Sequence, residues 1–191
     1  DDVLARLKAL QDEPESLAAA RELTRQGVVL IWSAVEVLAR DSFVFLLNRH
    51  SNLAEQLLAE QTNRKRFSVD RVDWQTLAAY GYDLSANLGT FLISKADLTN
   101  VQAIRDAYGA LFPEATKLTS GLADRQLWDL CQKRNLIVHR RGIVDQQYLS
   151  NTGDTLPLGS DLWISPKEVE DLLETGLHIG TQIISEIAKT N

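Results

Sequence analysis

The sequence predicts an all-α fold, an up-down four-helix bundle with an inserted helical segment and a C-terminal helix. Three observations carry this expectation. From Glu15 to about Asn48 only Gly27 interrupts a helix-compatible run. At 1.5 Å per residue that run would be about 50 Å long and would need partners along its length. Leu122 to Arg140 reads as a second strong helix. Arg141-Gly142 stops it, because glycine suits the position just past a helix C-terminus. Ser165-Pro166-Lys167-Glu168 opens a third, with a capping box and proline at the first helical position.

The other elements follow in chain order. Asp1 to Leu10 is expected as a short amphipathic helix with Val3, Leu4, Leu7 and Leu10 on one side. Asp12-Glu13-Pro14-Glu15 ends it and starts the long helix, with proline early and acids in the first turn. His50-Ser51-Asn52 is a break, and Asn52 is expected to cap a helix over Leu53 to Gln61. Asn63 to Asp70, polar and basic, is expected as a loop. Val72 to Tyr80 reads as a turn or two of helix ended by Gly81. Leu84 to Ile93 and Val101 to Phe112 read as short helices, the second ended by Pro113. Residues 62–120 are thus expected as a helical insertion packed on the bundle, within a single domain over 1–191. Leu77 to Leu92 has the outline of a helix-turn-helix but lacks a basic recognition helix. Ile143 to Ile164 is expected as loop, with short strands at Thr155 to Leu158 and Leu162 to Ile164 and a turn at Asn151-Thr152-Gly153-Asp154. The last helix has an apolar stripe of Val169, Leu172, Leu173, Leu177, Ile183, Ile184 and Ile187. Gly176 and Gly180 would let a neighbouring helix approach.

Composition narrows the function classes. The 191 residues are 45% hydrophobic and 24% charged, enough for one real core. The net charge of −6 argues against a general nucleic-acid binder, so a polyanion would have to meet a local basic patch. Two patches exist: Arg64-Lys65-Arg66 with Arg71, read as a solvated face, and Lys133, Arg134, Arg140 and Arg141. The single cysteine, Cys131, rules out an internal disulfide and a thiolate metal cluster, which suits the cytoplasm. Gly27 to Leu47 contains Glu36, Arg40 and Asp41, and charges near the centre of a span cost about 3 kcal/mol each, so it reads as a buried helix and no membrane is expected. No Glu-x-x-His pair, Gly-rich phosphate loop, zinc pattern or Gly-x-Ser-x-Gly elbow occurs, so no metal and no cofactor are expected.

The residues that carry chemistry are Arg134-Asn135-Leu136-Ile137-Val138-His139, followed by Arg140-Arg141-Gly142. Leu127, Leu130, Ile137 and Val138 define the expected core face, and Arg134 falls inside it. A guanidinium there needs a carboxylate, a cleft or an interface. Asn135 and His139, four apart, share a neighbouring face. His139 lies in the last turn, at the negative end of the helix dipole. Glu36, flanked by Trp32 and Arg40 on a stripe with Val29 and Phe43, is a candidate partner for Arg134, supported by Ser33. The competing arrangement is a one-turn surface pair of Glu36 with Arg40. His50 and His178 read as structural or solvated, and Cys131 as a small buried hydrophobe.

Arg134, Asn135 and His139 match the motif of the HEPN superfamily of helical domains: an arginine, often a polar residue straight after it, and a histidine four to six residues on. The continuation Arg140-Arg141-Gly142-Ile143-Val144-Asp145 with Tyr148, and the long helix with Trp32-Ser33-Ala34-Val35-Glu36, resemble one branch of that superfamily. The resemblance covers residues 15–48 and 122–190. It implies a HEPN-type bundle that forms a homodimer, with two motifs facing each other across the two-fold axis. It also implies a metal-independent endoribonuclease, a hydrolase acting on single-stranded RNA in a toxin–antitoxin or phage-defence setting, with a neutralising or effector protein as a further partner. Arg134, Asn135 and His139 would then be catalytic, and Lys133, Arg140 and Arg141 would contact RNA. The alternative is a non-catalytic, dimerising interaction module that acts with a partner protein.

The proposed Glu36–Arg134 pair is open to a double-mutant cycle at the two positions. A coupling energy of about 0.5 kcal/mol or more is expected, and zero coupling would remove the pair.

Overall fold

The computed structural model describes Val3, residues 13–67 and residues 72–190. The chain is mostly helical, with no strand among the described residues. The helix expected over Asp1 to Leu10 falls outside them, apart from Val3. The helices are α1 (Pro14–Arg49), α2 (Leu53–Ala59), α3 (Gln61–Phe67), α4 (Trp74–Ala79), α5 (Leu88–Ile93), α6 (Val101–Leu111), α7 (Thr116–Leu122), α8 (Arg125–Arg140), α9 (Gln146–Thr152) and α10 (Pro166–Ala188). None of them is long and apolar enough to cross a membrane.

Contacts gather the chain into two compact units: residues 1–32 with 129–174, and residues 33–128 with 175–191. Helices α1, α8 and α10 each give residues to both. On α1 the buried positions Arg25, Val28, Trp32, Val35, Ala39, Phe43 and Leu46 recur at steps of three or four, one stripe of a 3.6-residue helix. The stripe supplies hydrophobic side chains to both cores and, at its N-terminal end, one arginine.

That arginine organises the first unit. Arg25 is 5% exposed. Its Nη1 donates to Glu22 Oε1 at 2.9 Å, and its Nη2 donates to Asp161 Oδ1 at 3.1 Å and to the Leu162 carbonyl at 3.0 Å. Arg21, one turn earlier and more exposed, donates to the other Asp161 oxygen at 2.6 Å. The segment after α8 is laced to the segment before α10 by Leu162 N–H to Gly142 O, Val144 N–H to Ser160 O and Gly159 N–H to Val144 O. This is one isolated antiparallel bridge, Ile143 with Asp161, rather than the expected strands. Val144, Leu162 and Ile164, beside it in sequence, are buried. Gly27 does not interrupt α1; a Cβ there would lie 3.1 Å from Val169 Cγ1, so the glycine marks close packing of α10.

In the second unit, α2 to α7 pack with residues 33–49 of α1. Phe43 stacks on Phe67 with centroids 5.4 Å apart, Tyr108 donates to the Ala39 carbonyl at 2.7 Å, and Asn48 and Thr90 exchange two hydrogen bonds. Gly180 meets Leu38, which a Cβ would approach to 2.9 Å, in keeping with the close approach expected of it.

Several boundaries differ from expectation. Residues 63–67, expected as the start of a loop, belong to the helix Gln61–Phe67, with Asn63 and Phe67 buried on one side of it. Asn52 adopts helical dihedrals and makes no side-chain cap. Ser165 does cap α10, accepting from Glu168 N–H at 3.1 Å, whereas the Glu168 carboxylate pairs with Lys133 at 3.1 Å. The stripe expected on α10 divides: Leu172, Ile183 and Ile187 are buried, while Leu173, Leu177 and Ile184 are exposed.

Removing the two arginines should have unequal effects. Arg25→Ala is expected to cost about 2–3 kcal/mol of stability, since it deletes buried charged hydrogen bonds. Arg21→Ala, in a solvated ion pair, is expected to cost under about 1 kcal/mol. Urea midpoints of the two variants check this, and equal losses would contradict the assignment of Arg25.

Candidate functional site

The candidate site is built where α8 ends. Arg141 and Gly142 both take left-handed backbone, at φ 56° and 78°. Sequence reasoning assigned the stop to glycine, but the first left-handed residue is an arginine, at an intrinsic cost of roughly 1–2 kcal/mol. Gly142 N–H returns to the Leu136 carbonyl at 3.1 Å. A Cβ on Gly142 would sit 2.7 Å from Arg25 Cζ, so only glycine lets the guanidinium lie against this turn. The buried clasp therefore fixes where α8 stops and where its last turn, with His139, is held.

The segment beyond folds back as α9, which sequence reasoning read as loop. Asp145 joins the two helices: its Oδ1 accepts from Tyr148 N–H at 2.8 Å as the cap of α9, and its Oδ2 accepts from Arg140 Nε at 3.1 Å. Gly153, left-handed, closes α9. Between α8 and α9 lies a cleft of ≈ 530 Å³. Gln132, Asn135, Leu136 and His139 line it from α8, and Tyr148 and Asn151 from α9, with Arg140 and Asp145 where the helices join. The α8 positions are i, i+3, i+4 and i+7, one helical face.

That face is not the one expected to be buried. Leu127, Leu130 and Cys131 are buried early in α8, but Val138 is exposed and Leu136, nearly opposite Leu127, is buried instead. The buried side thus changes along the helix, and Ile137 and Val138 do not continue the core.

His139 is exposed, and its ring makes no hydrogen bond among the described residues. Asn135 is half-buried; its Oδ1 accepts from Arg134 Nη1 at 3.1 Å, and its Nδ2 points to Cys131 Sγ at 3.8 Å. Arg134 is half-buried and does not line the cleft. Five residues on a helix separate it from His139 by about 140°. The chain thus brings Asn135 and His139 to one cleft and directs Arg134 elsewhere. Glu36 and Ser33 are half-buried on the part of α1 that belongs to the second unit. Arg40 bonds to its neighbour Asp41 at 3.0 Å, so the one-turn Glu36–Arg40 pair is absent among the described residues.

The expected basic patch is reduced. Lys133 is ion-paired with Glu168 and its side chain is 15% exposed, which removes it from any RNA-facing wall. Arg140 is exposed but paired with Asp145, and Arg141 is exposed.

Sequence reasoning missed Gln132 and Asn151 and gave Tyr148 no role. Gln132, 9% exposed, accepts from Asn151 Nδ2 at 2.9 Å. Tyr148 is buried, and burial first and the Asp154 carboxylate second push its phenol above the ordinary range. It stays neutral near pH 7 and donates to Asp154 at 3.4 Å. The spacing of Gln132, Asn135, Leu136 and His139 was visible in the sequence; the helix that covers them was not.

No family model matches this chain, and neither a curated protein nor a solved structure was found to match it.

Proposed function

We propose that the protein is a metal-independent endoribonuclease of the HEPN type that cleaves single-stranded RNA as a homodimer, with Arg134, Asn135 and His139 as its catalytic residues. The observation that carries this reading is His139. It is a solvent-facing imidazole on the rim of a polar cleft, one turn from an asparagine anchored by an arginine.

The chemistry follows from what RNA offers. The ribose 2′-oxygen attacks the adjacent phosphorus while its proton passes to a base. The P–O5′ bond breaks with protonation of the leaving oxygen, giving a 2′,3′-cyclic phosphate and a free 5′-hydroxyl. One histidine cannot hold the base and acid roles at once on opposite sides of the phosphorus. Two copies of His139 divide them, and an arginine from each subunit steadies the phosphorane charge. Arg134 turned away from its own His139 suits a site shared between chains. In this reading Arg140 and Arg141 meet the RNA backbone, a neutralising or effector protein acts in a toxin or phage-defence setting, and the protein works in the cytoplasm.

A second reading is a non-catalytic interaction module. Leu23, Leu30 and Val37, seven residues apart on α1, are exposed, as are Leu173, Leu177 and Ile184 on α10. Such stripes favour association whether or not chemistry follows.

Purified protein is expected to cleave single-stranded RNA in EDTA and to leave the same sequence as DNA intact, since DNA lacks the 2′-hydroxyl. His139→Ala, at an exposed position, should keep the melting temperature and lower cleavage by about a hundredfold or more. Intact RNA from clean wild-type preparations would sink the nuclease reading and leave the interaction module.

A further inference from the structure

We infer that the cleft between α8 and α9 is a nucleobase subsite, which selects the base beside the phosphate that His139 acts on. This rests on the nuclease reading for its role but on separate observations for its chemistry. The cleft lining is rich in carboxamides, Gln132, Asn135, Gln147 and Asn151, while its one carboxylate, Asp145, is occupied by Arg140 and by the cap of α9. A phosphate subsite needs cations and a cation subsite needs carboxylates. Amides with fixed donors and acceptors match the neutral hydrogen-bonding edge of a base.

The orientation is also set. Asn151 Nδ2 donates to Gln132 Oε1, which leaves Gln132 Nε2 as the donor presented from a side chain nine-tenths buried. Among the described residues no group accepts from that Nε2. The neutral Tyr148 phenol is engaged with Asp154, which holds its ring in the wall. A base in the cleft places its sugar and phosphate toward the rim, where His139 and Arg140 stand. The volume of ≈ 530 Å³ admits a nucleotide with room for water.

Gln132→Glu tests this without emptying the site. A carboxylate keeps the bond from Asn151 but presents an acceptor where the amide presented a donor. Asn151→Ala, at an exposed position, is the second variant should the first fold poorly, and thermal melting reports folding for both. Two arms are measured: sequencing of ends from an RNA pool randomised around the cut, and calorimetric binding of 2′-O-methyl trinucleotides and of the four free mononucleotides. The wild type is expected to prefer one base at one position flanking the cut, and Gln132→Glu to change that preference about tenfold. The same change is expected in binding of the uncleavable trinucleotides. Base-selective binding lost in the variants, without any cleavage, keeps the subsite and overturns the nuclease. Mononucleotides binding as tightly as trinucleotides keep the subsite and mark its occupant as a free nucleotide. Equal use of all four bases by the wild type, or an unchanged preference in both variants, overturns the subsite even where RNA is cut.

Discussion

The buried guanidinium of Arg25 is the constraint on which the candidate site depends. A charge at 5% exposure needs partners, and the two terminal nitrogens of Arg25 meet Glu22, Asp161 and the Leu162 carbonyl, while its Nε is buried without one. Each of those bonds fixes a segment. The Asp161 and Leu162 bonds hold the strap before α10 against α1. The strap, through Leu162 N–H and Gly142 O, holds the turn that ends α8. Gly142 completes the arrangement, because the guanidinium fills the space its missing side chain leaves. The last turn of α8, the cap of α9 and the cleft between them are consequences of that arrangement. His139 lines that cleft and is exposed to solvent.

The long elements were legible in the sequence because periodicity and caps agree over many residues. The start of α1 near Pro14, the end of α8 at Arg140 and the Ser165 cap of α10 came out where the residues put them. Short elements were less legible. α9 has seven residues, too few for a period to stand out, and its signals were an Asp145 cap and a left-handed Gly153 inside a stretch rich in turn formers. α3 was hidden by Arg64-Lys65-Arg66, whose charges read as loop although Asn63 and Phe67 lie buried on the other side.

The site itself was half legible. The shared face of Asn135 and His139 was legible, because their spacing is local, and the two line one cleft. Gln132 was not, since its partner Asn151 lies on a helix whose residues carry loop signals. The same rule that singled out Arg134, a cation on an apolar stripe, applies to Arg25, which shares a face with Val28 and Trp32. Lys133 looked like part of a basic wall because Glu168, its partner, is remote in sequence.

The proposed two-chain site rests on the geometry of α8. Asn135 and His139 face the cleft while Arg134 lies about 140° round the helix. The most direct measurement is the distance between spin labels at position 139, placed by His139→Cys in a chain whose buried Cys131 is replaced by alanine, read by pulsed electron resonance. The account predicts one short, narrow intermolecular distance between two copies. Coupling that is absent, or long and broad, at concentrations where the protein is fully associated would contradict it.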